Sequence, residues 1–176
     1  MNCIAWAPWE YGLILAAGTA QGRIVVFQRG SDDKLHKIHD FVAHKEGVNG
    51  ISWGPSTEPA VLMQSSPIVE DKNDSVMPEK FKLPAKRLVS GGNDNAVNLC
   101  EFVDENVKVT KIGEHSDWVR DVAWSNNIGL LYDTIASCSE DGTVKVWRHV
   151  NEKEVHWIAK EVKISEKIPL WKVSWS

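Results

Sequence analysis

The chain has 176 residues, of which 43% are apolar and 25% charged, and this composition is typical of a globular protein with one sizeable core. A formal net charge of −4 with scattered basic residues argues against a DNA- or RNA-binding protein. No apolar run approaches about 18 residues, so we expect no membrane span. The cysteines Cys3, Cys100 and Cys138 form no close pair and the sequence has no glycine-rich phosphate loop, so we expect no disulfide framework, no metal site and no other cofactor.

Four short tryptophan-bearing segments recur along the chain and predict a repeat architecture. The segments are IAWAP, ISWGP, VAWSN and VSWS, and their tryptophans are Trp6, Trp53, Trp124 and Trp175. Each of the first three is followed by a strand, a tight turn, a second strand and an outer strand, in units close to the roughly 40 to 45 residues of a propeller repeat. The sequence therefore predicts an all-β fold, a partial WD-repeat β-propeller of about three four-stranded blades plus one strand of a fourth.

The predicted blades cover residues of about 4–43, 48–113 and 119–163, and residues 171–176 are predicted to form the first strand of the next blade. A polar segment rich in proline, at 56–86, lies between the first and second strands of the second blade, where we expect an inserted surface loop. Propellers typically need about four to eight blades to close, so either this chain is a fragment of a longer protein or another chain covers its open sides. We expect the first, because uncovered blade faces would expose apolar surface.

The third unit has the four polar positions that are typical of a complete WD repeat. We expect Asp141 to accept a hydrogen bond from His115, and Ser139 to bind the histidine and accept from the Trp147 indole. The same residue types, His115, Ser139 and Asp141, could be interpreted as a hydrolase triad. Because Ser139 and Asp141 share one strand end and no G-x-S-x-G elbow is present, we predict a buried structural tetrad and a protein that is not an enzyme.

The other two units have weaker versions of this tetrad. The second unit keeps His44 and Asp94 but has Gly92 and Cys100 at the remaining positions, so a partial tetrad of one histidine–aspartate bond is predicted. In the first unit the corresponding residues are Thr19, Gln21 and Phe27, which predict no network.

Two tryptophans, Trp118 and Trp171, lie outside the repeat positions that blade packing explains. Both precede a predicted first strand, near one face of the ring. Since tryptophan is enriched at the centres of protein interfaces, we consider both to be candidate partner contacts.

Several longer sequence segments are similar to segments of one WD-repeat family. They are APWEYG, AHKEGVNGISWGP, HSDWVRDVAW, SEDGTVKVW and LWKVSWS. Apart from the insertion, the chain resembles the Sec-thirteen family, the small β-propeller subunit of the COPII outer coat, nearly from end to end. The resemblance implies a six-bladed propeller that is left open for a partner, with this chain corresponding to the third, fourth and fifth blades and the opening strand of the sixth.

The same resemblance implies a function and partners. The protein would be a non-catalytic structural scaffold of the COPII vesicle coat in ER-to-Golgi protein transport, bound to the large outer-coat subunit, which donates a blade by strand addition. It would lie on the cytoplasmic face of the endoplasmic reticulum membrane and on COPII vesicles, without inserting into lipid, and also in the outer scaffold of the nuclear pore complex and in a nutrient-signalling complex. The alternatives are a nucleoporin-type relative and a generic WD-repeat adaptor that binds peptides.

Overall fold

The computed structural model describes residues 1–56, 85–126, 132–149, 157–164 and 168–176. These residues form strands and one short 3-10 helix, Trp9–Tyr11. The strands are β1 (Cys3–Trp6), β2 (Ile14–Gly18), β3 (Arg23–Arg29), β4 (Leu35–Val42), β5 (Val48–Trp53), β6 (Arg87–Gly92), β7 (Ala96–Val103), β8 (Asn106–Glu114), β9 (Val119–Trp124), β10 (Thr134–Ser139), β11 (Thr143–His149) and β12 (Trp157–Lys163). Within the described ranges, no helix is both long enough and apolar enough to cross a bilayer.

The strands form three antiparallel sheets of four strands each, and every sheet follows chain order. We call them blade 1 (β1–β4), blade 2 (β5–β8) and blade 3 (β9–β12). The first strands β1, β5 and β9 lie beside one another, which is how blades are arranged around a propeller axis. The predicted all-β fold and partial propeller are confirmed.

The alternation of side chains along each strand explains why the sheets stack. In β6, Leu88 packs into the apolar cluster between blades 1 and 2, whereas its neighbour Val89 packs into the cluster between blades 2 and 3. Successive side chains of a strand point to opposite faces, so a blade between two others needs apolar residues on both. Both side chains are 0% exposed, and each such burial contributes about 1.5 to 3 kcal/mol.

Polar contacts also join neighbouring blades. The Trp53 indole Nε1 donates to the Ala5 carbonyl of blade 1 over 3.0 Å. The indole of Trp175, which lies outside the three blades, makes the equivalent bond to the Ala123 carbonyl of blade 3. Between blades 2 and 3, the Arg87 guanidinium binds the Asp133 carboxylate at 2.7 Å. These bonds restrict sliding of one blade past the next.

The segment 168–176 differs from its prediction, because it lies against blade 3 without forming a strand. Its polar groups bind blade 3: Leu170 N donates to Ser139 O over 3.1 Å, Val173 N donates to Asp121 Oδ2 over 3.2 Å, and the Trp175 indole donates to Ala123 O. Lys172 also pairs with the Asp121 carboxylate. A strand needs a continuous backbone ladder, and these contacts involve side chains and isolated carbonyls instead. Most of the predicted inserted loop, residues 57–84, lies outside the described residues.

Candidate interaction surface

The polar network of blade 3 is centred on a buried serine. His115 Nδ1 lies 3.0 Å from Asp141 Oδ2, His115 Nε2 lies 2.7 Å from Ser137 Oγ, and the Trp147 indole donates to Ser137 Oγ over 2.9 Å. Because the Asp141 carboxylate can only accept, it selects the ring tautomer with a proton on Nδ1. The Ser137 hydroxyl therefore donates to His115 Nε2 and accepts from Trp147, so one chain of bonds runs from the indole to the carboxylate.

The prediction that Ser139 belongs to this network is wrong. Its hydroxyl donates to the Asp117 carbonyl over 3.0 Å and accepts from Asp141 N over 3.1 Å, so it holds the turn after β10. Trp147 pairs with Ile135 across the sheet. From Ile135, the same face next presents Ser137, whereas Ser139 lies about 13 Å along the strand, beyond the reach of the indole.

Blade 2 has a fuller network than the sequence predicted. His44 Nδ1 lies 2.7 Å from Asp94 Oδ1, and His44 Nε2 lies 2.9 Å from Ser90 Oγ, so a hydroxyl is present although Gly92 has no side chain. Cys100, which is fully buried, replaces the tryptophan. The spacing S-x-x-x-D, which Ser90 and Asp94 share with blade 3, was the sequence signal that would have identified the correct serine.

Blade 1 stabilises its turn in a simpler way. Thr19 Oγ1 accepts from Gln21 N at 3.4 Å and from Arg23 N at 3.1 Å, and it donates to Arg23 O at 3.1 Å. The first of these bonds corresponds to the one that Ser139 accepts in blade 3. Thr19 is thus a turn residue.

Burial and hydrogen bonding determine the charges of these networks. Burial alone would raise the pKa of Asp94 and Asp141, but hydrogen bonds outweigh it and lower each pKa to about 2. For Asp94 the largest of these bonds comes from His44, and for Asp141 it comes from Thr143. Burial lowers the pKa of His115, which favours the neutral ring. Ser137 is 0% exposed, so its hydroxyl is not accessible to solvent. The network connects the loop at His115 and the turn at Asp141 to β10 and β11.

A separate cluster of side chains lies on the surface of blade 3. We call it the tryptophan–arginine surface, and it consists of Trp118, Arg120, Glu140 and Trp171. The Arg120 guanidinium carbon lies 5.0 Å from the centre of the Trp118 ring and 4.5 Å from that of Trp171. Arg120 Nε donates to Glu140 Oε1 over 2.7 Å. The two tryptophans remain 41% and 60% exposed, respectively.

Three chain segments build the tryptophan–arginine surface. Trp118 immediately precedes β9, Arg120 lies two residues later in that strand, Glu140 is in the turn after β10, and Trp171 comes from 168–176. The two tryptophans were predicted from the sequence as candidate contacts, whereas Arg120 and Glu140 were not. The available signal for the arginine was its position two residues after Trp118 in the sequence. Contact of either tryptophan with a partner stays a prediction.

A third feature is the face of blade 1 that points away from blade 2. Ile4 and Trp6 on β1 are 62% and 55% exposed, and Val42 on β4 is 59% exposed. Trp6 occupies the repeat position of Trp53, whose indole binds the neighbouring blade. Among the described residues, no three or more His, Cys, Asp or Glu side chains are grouped so that they could hold a metal ion.

Comparison with known proteins gives one family-model match and several relatives. Residues 106–148 match the WD domain, G-beta repeat family, a stretch that runs from β8 through β11. A protein of Emericella nidulans called "Protein transport protein sec13" is 37% identical over 180 residues, which cover 100% of this chain and 52% of that protein. "Protein SEC13 homolog" of Drosophila melanogaster is 36% identical, with 100% of this chain and 46% of that protein covered. The chain spans about half the length of the curated relatives it matches.

Proposed function

The chain is homologous over its whole length to protein transport proteins of the Sec-thirteen family, and from this we propose that it is part of a non-catalytic structural scaffold of the COPII vesicle coat in ER-to-Golgi protein transport. The observation that carries the proposal is the 37% identity, which extends across all of this chain. A rigid subunit suits a coat because the coat must keep its curvature under load. The bonds between blades described above supply such rigidity.

The proposal includes partners and a place in the cell. The whole protein binds the large outer-coat subunit, which donates a blade by strand addition, on the cytoplasmic face of the endoplasmic reticulum and on vesicles. The exposed face of blade 1 supports an assembly larger than three blades, since Ile4, Trp6 and Val42 form an apolar surface of the kind that another sheet covers. In this proposal that face packs against a further blade of the whole protein.

Two additional roles follow from the family in the same way. We propose that the whole protein also serves in the outer scaffold of the nuclear pore and in a nutrient-signalling complex. The main alternative from a different class, a WD-repeat adaptor that binds peptides, is favoured by one observation, the exposed Trp118 and Trp171.

Affinity capture tests the proposed function. The full-length protein is tagged at its chromosomal locus, purified under native conditions and analysed by quantitative mass spectrometry, with the tag alone as control. We expect the large outer-coat subunit in near-stoichiometric amount. Recovery of pore scaffold subunits without coat subunits would overturn the coat proposal in favour of the nucleoporin-type relative, and recovery of neither would overturn the scaffold proposal.

A further inference from the structure

The tryptophan–arginine surface is organised before any ligand arrives. Arg120 contacts both indole rings and is fixed in turn by Glu140, and the Arg120 side chain is only 19% exposed. Each ring therefore has a neighbour that holds it in place, while much of its area remains in contact with water. A rigid aromatic surface loses little conformational entropy on binding, so it is suited to be an interface anchor.

The charges around the two rings favour a cationic ligand. Two cations lie here, Arg120 and Lys172, and both are already paired: Arg120 with Glu140, and Lys172 with Asp121 at 3.5 Å. Two more carboxylates, Asp117 and Asp141, lie in the adjoining loop and turn. Four carboxylates against two cations give the region a formal charge of −2.

Asp117 directly precedes Trp118 in the sequence and brings a carboxylate next to that exposed tryptophan. Its Oδ1 accepts a hydrogen bond from the Trp118 backbone N over 2.7 Å, which holds the carboxylate at the backbone of that tryptophan, and the residue is exposed. A cation above an indole face is attracted by the ring quadrupole by about 0.5 to 1 kcal/mol at an exposed site. A neighbouring carboxylate adds to that attraction, so Trp118 with Asp117 fits a lysine or arginine side chain.

We propose that the tryptophan–arginine surface binds a basic peptide segment of another protein, in which a lysine or arginine stands next to an apolar residue. The cation lies over Trp118 beside Asp117, and the apolar side chain covers the exposed ring of Trp171. Because the surface is built entirely from blade 3 and segment 168–176, this inference does not depend on the coat function proposed above.

Nuclear magnetic resonance of the indole N–H groups in the full chain tests the inference. The probes are three acetylated and amidated hexapeptides, Ser-Gly-Leu-X-Gly-Ser, in which X is arginine, citrulline or glutamate. We expect saturable shifts of the Trp118 and Trp171 signals with the arginine peptide, and roughly 10-fold weaker binding of the uncharged citrulline peptide. Added salt should weaken the arginine peptide's binding, because exposed charges are screened.

Matched variants make the test specific. Asp117→Asn keeps an oxygen for Trp118 N and removes the charge, so it should weaken binding of the arginine peptide several-fold without affecting the fold. Trp171→Ala should abolish the saturable shift. Trp9→Ala is the control: Trp9 is 84% exposed and lies after the end of β1, whereas Trp118 lies before the start of β9, so removal of the Trp9 ring should leave the affinity unchanged.

Three outcomes would overturn the inference. The first is the absence of saturable shifts at peptide concentrations of about 10 mM, well above the weak binding expected of so small a ligand. The second is equal affinity for the arginine and glutamate peptides. The third is an equal loss of binding in Asp117→Asn and Trp9→Ala, since neither substitution alters the packing of blade 3.

Discussion

At the scale of single residues, the hydroxyl of Ser137 joins Trp147 to His115. Replacing it with Ser137→Ala leaves the indole N–H without an acceptor and His115 Nε2 without a donor. Each loss costs about 1 to 3 kcal/mol in a buried site, so we expect the free energy of unfolding in urea to fall by about 2 to 4 kcal/mol.

Ser139→Ala is the matched control, because it removes the same atom two residues away. It should cost about 1 kcal/mol through its turn bonds and leave the Trp147 indole resonance in place, whereas Ser137→Ala should shift that resonance. A larger effect of Ser139→Ala on both measurements would contradict this assignment.

The residues of this network were only partly predictable. His115, Asp141 and Trp147 are identified by their spacing, because the turn brings fixed positions together. Ser137 and Ser139 lie on the same face of one strand, so a period of two cannot distinguish them. The pairing of Ile135 with Trp147 decides between them, and pairing across strands is a property of the folded sheet.

At the scale of one element, the turn between the second and third strands places a residue at positive φ in every blade. Gly22 and Gly142 have φ of 77°, and Asn95 in blade 2 has φ of 65°. Alanine in this conformation costs roughly 1 to 2 kcal/mol, while glycine adopts it freely and asparagine tolerates it. We therefore expect Asn95→Ala to lower the free energy of unfolding in urea by about 1 kcal/mol relative to the parent. Asn95→Gly should be as stable as the parent or slightly more stable. If the alanine variant were as stable as the glycine variant, the turn would not require this conformation.

Strand order and turns were predictable from alternation and from the glycine-containing turns, since both depend on local sequence. The conformation of segment 168–176 was not predictable in this way, although its sequence VSWS is similar to the other first strands. A strand is defined by the backbone ladder it shares with a neighbour, and the local sequence does not determine whether that ladder forms. The two tryptophans of the tryptophan–arginine surface were predictable from the sequence, but their contacts with Arg120 were not. Trp171 is distant from Arg120 in the sequence and meets it only after folding.

At the scale of the whole molecule, stability should decrease as the pH falls, in two separate ranges. The pKa of His115 lies below its ordinary value of 6.5, so the unfolded chain takes up a proton there more readily than the folded one, and stability is lost as the pH falls through that value. Burial lowers the pKa of His39 as well, with the same sign. Asp94 and Asp141 stabilise the fold above their ordinary value of 3.8, and this contribution is lost as the pH falls toward about 2.

Thermal unfolding followed between pH 8 and pH 3 checks this expectation. The parent chain should show a decrease in Tm near pH 6.5 and a second decrease below pH 4. His115→Gln should be less stable at neutral pH and should lose part of the upper decrease, while the lower one remains. A constant Tm from pH 8 to pH 5 in the parent would contradict the assignment of a neutral buried histidine.

Blade 2 keeps its first two strands together although a long stretch of chain separates them in sequence. Trp53 pairs with Leu88, and Gly54 N donates to Arg87 O over 2.8 Å, so the sheet is sealed at the point where the chain departs and returns. The entropic cost of closing a loop rises only by about 0.6 kcal/mol for each doubling of its length. This location is therefore a suitable insertion site for a fluorescent reporter or a guest domain, which should leave the three blades intact.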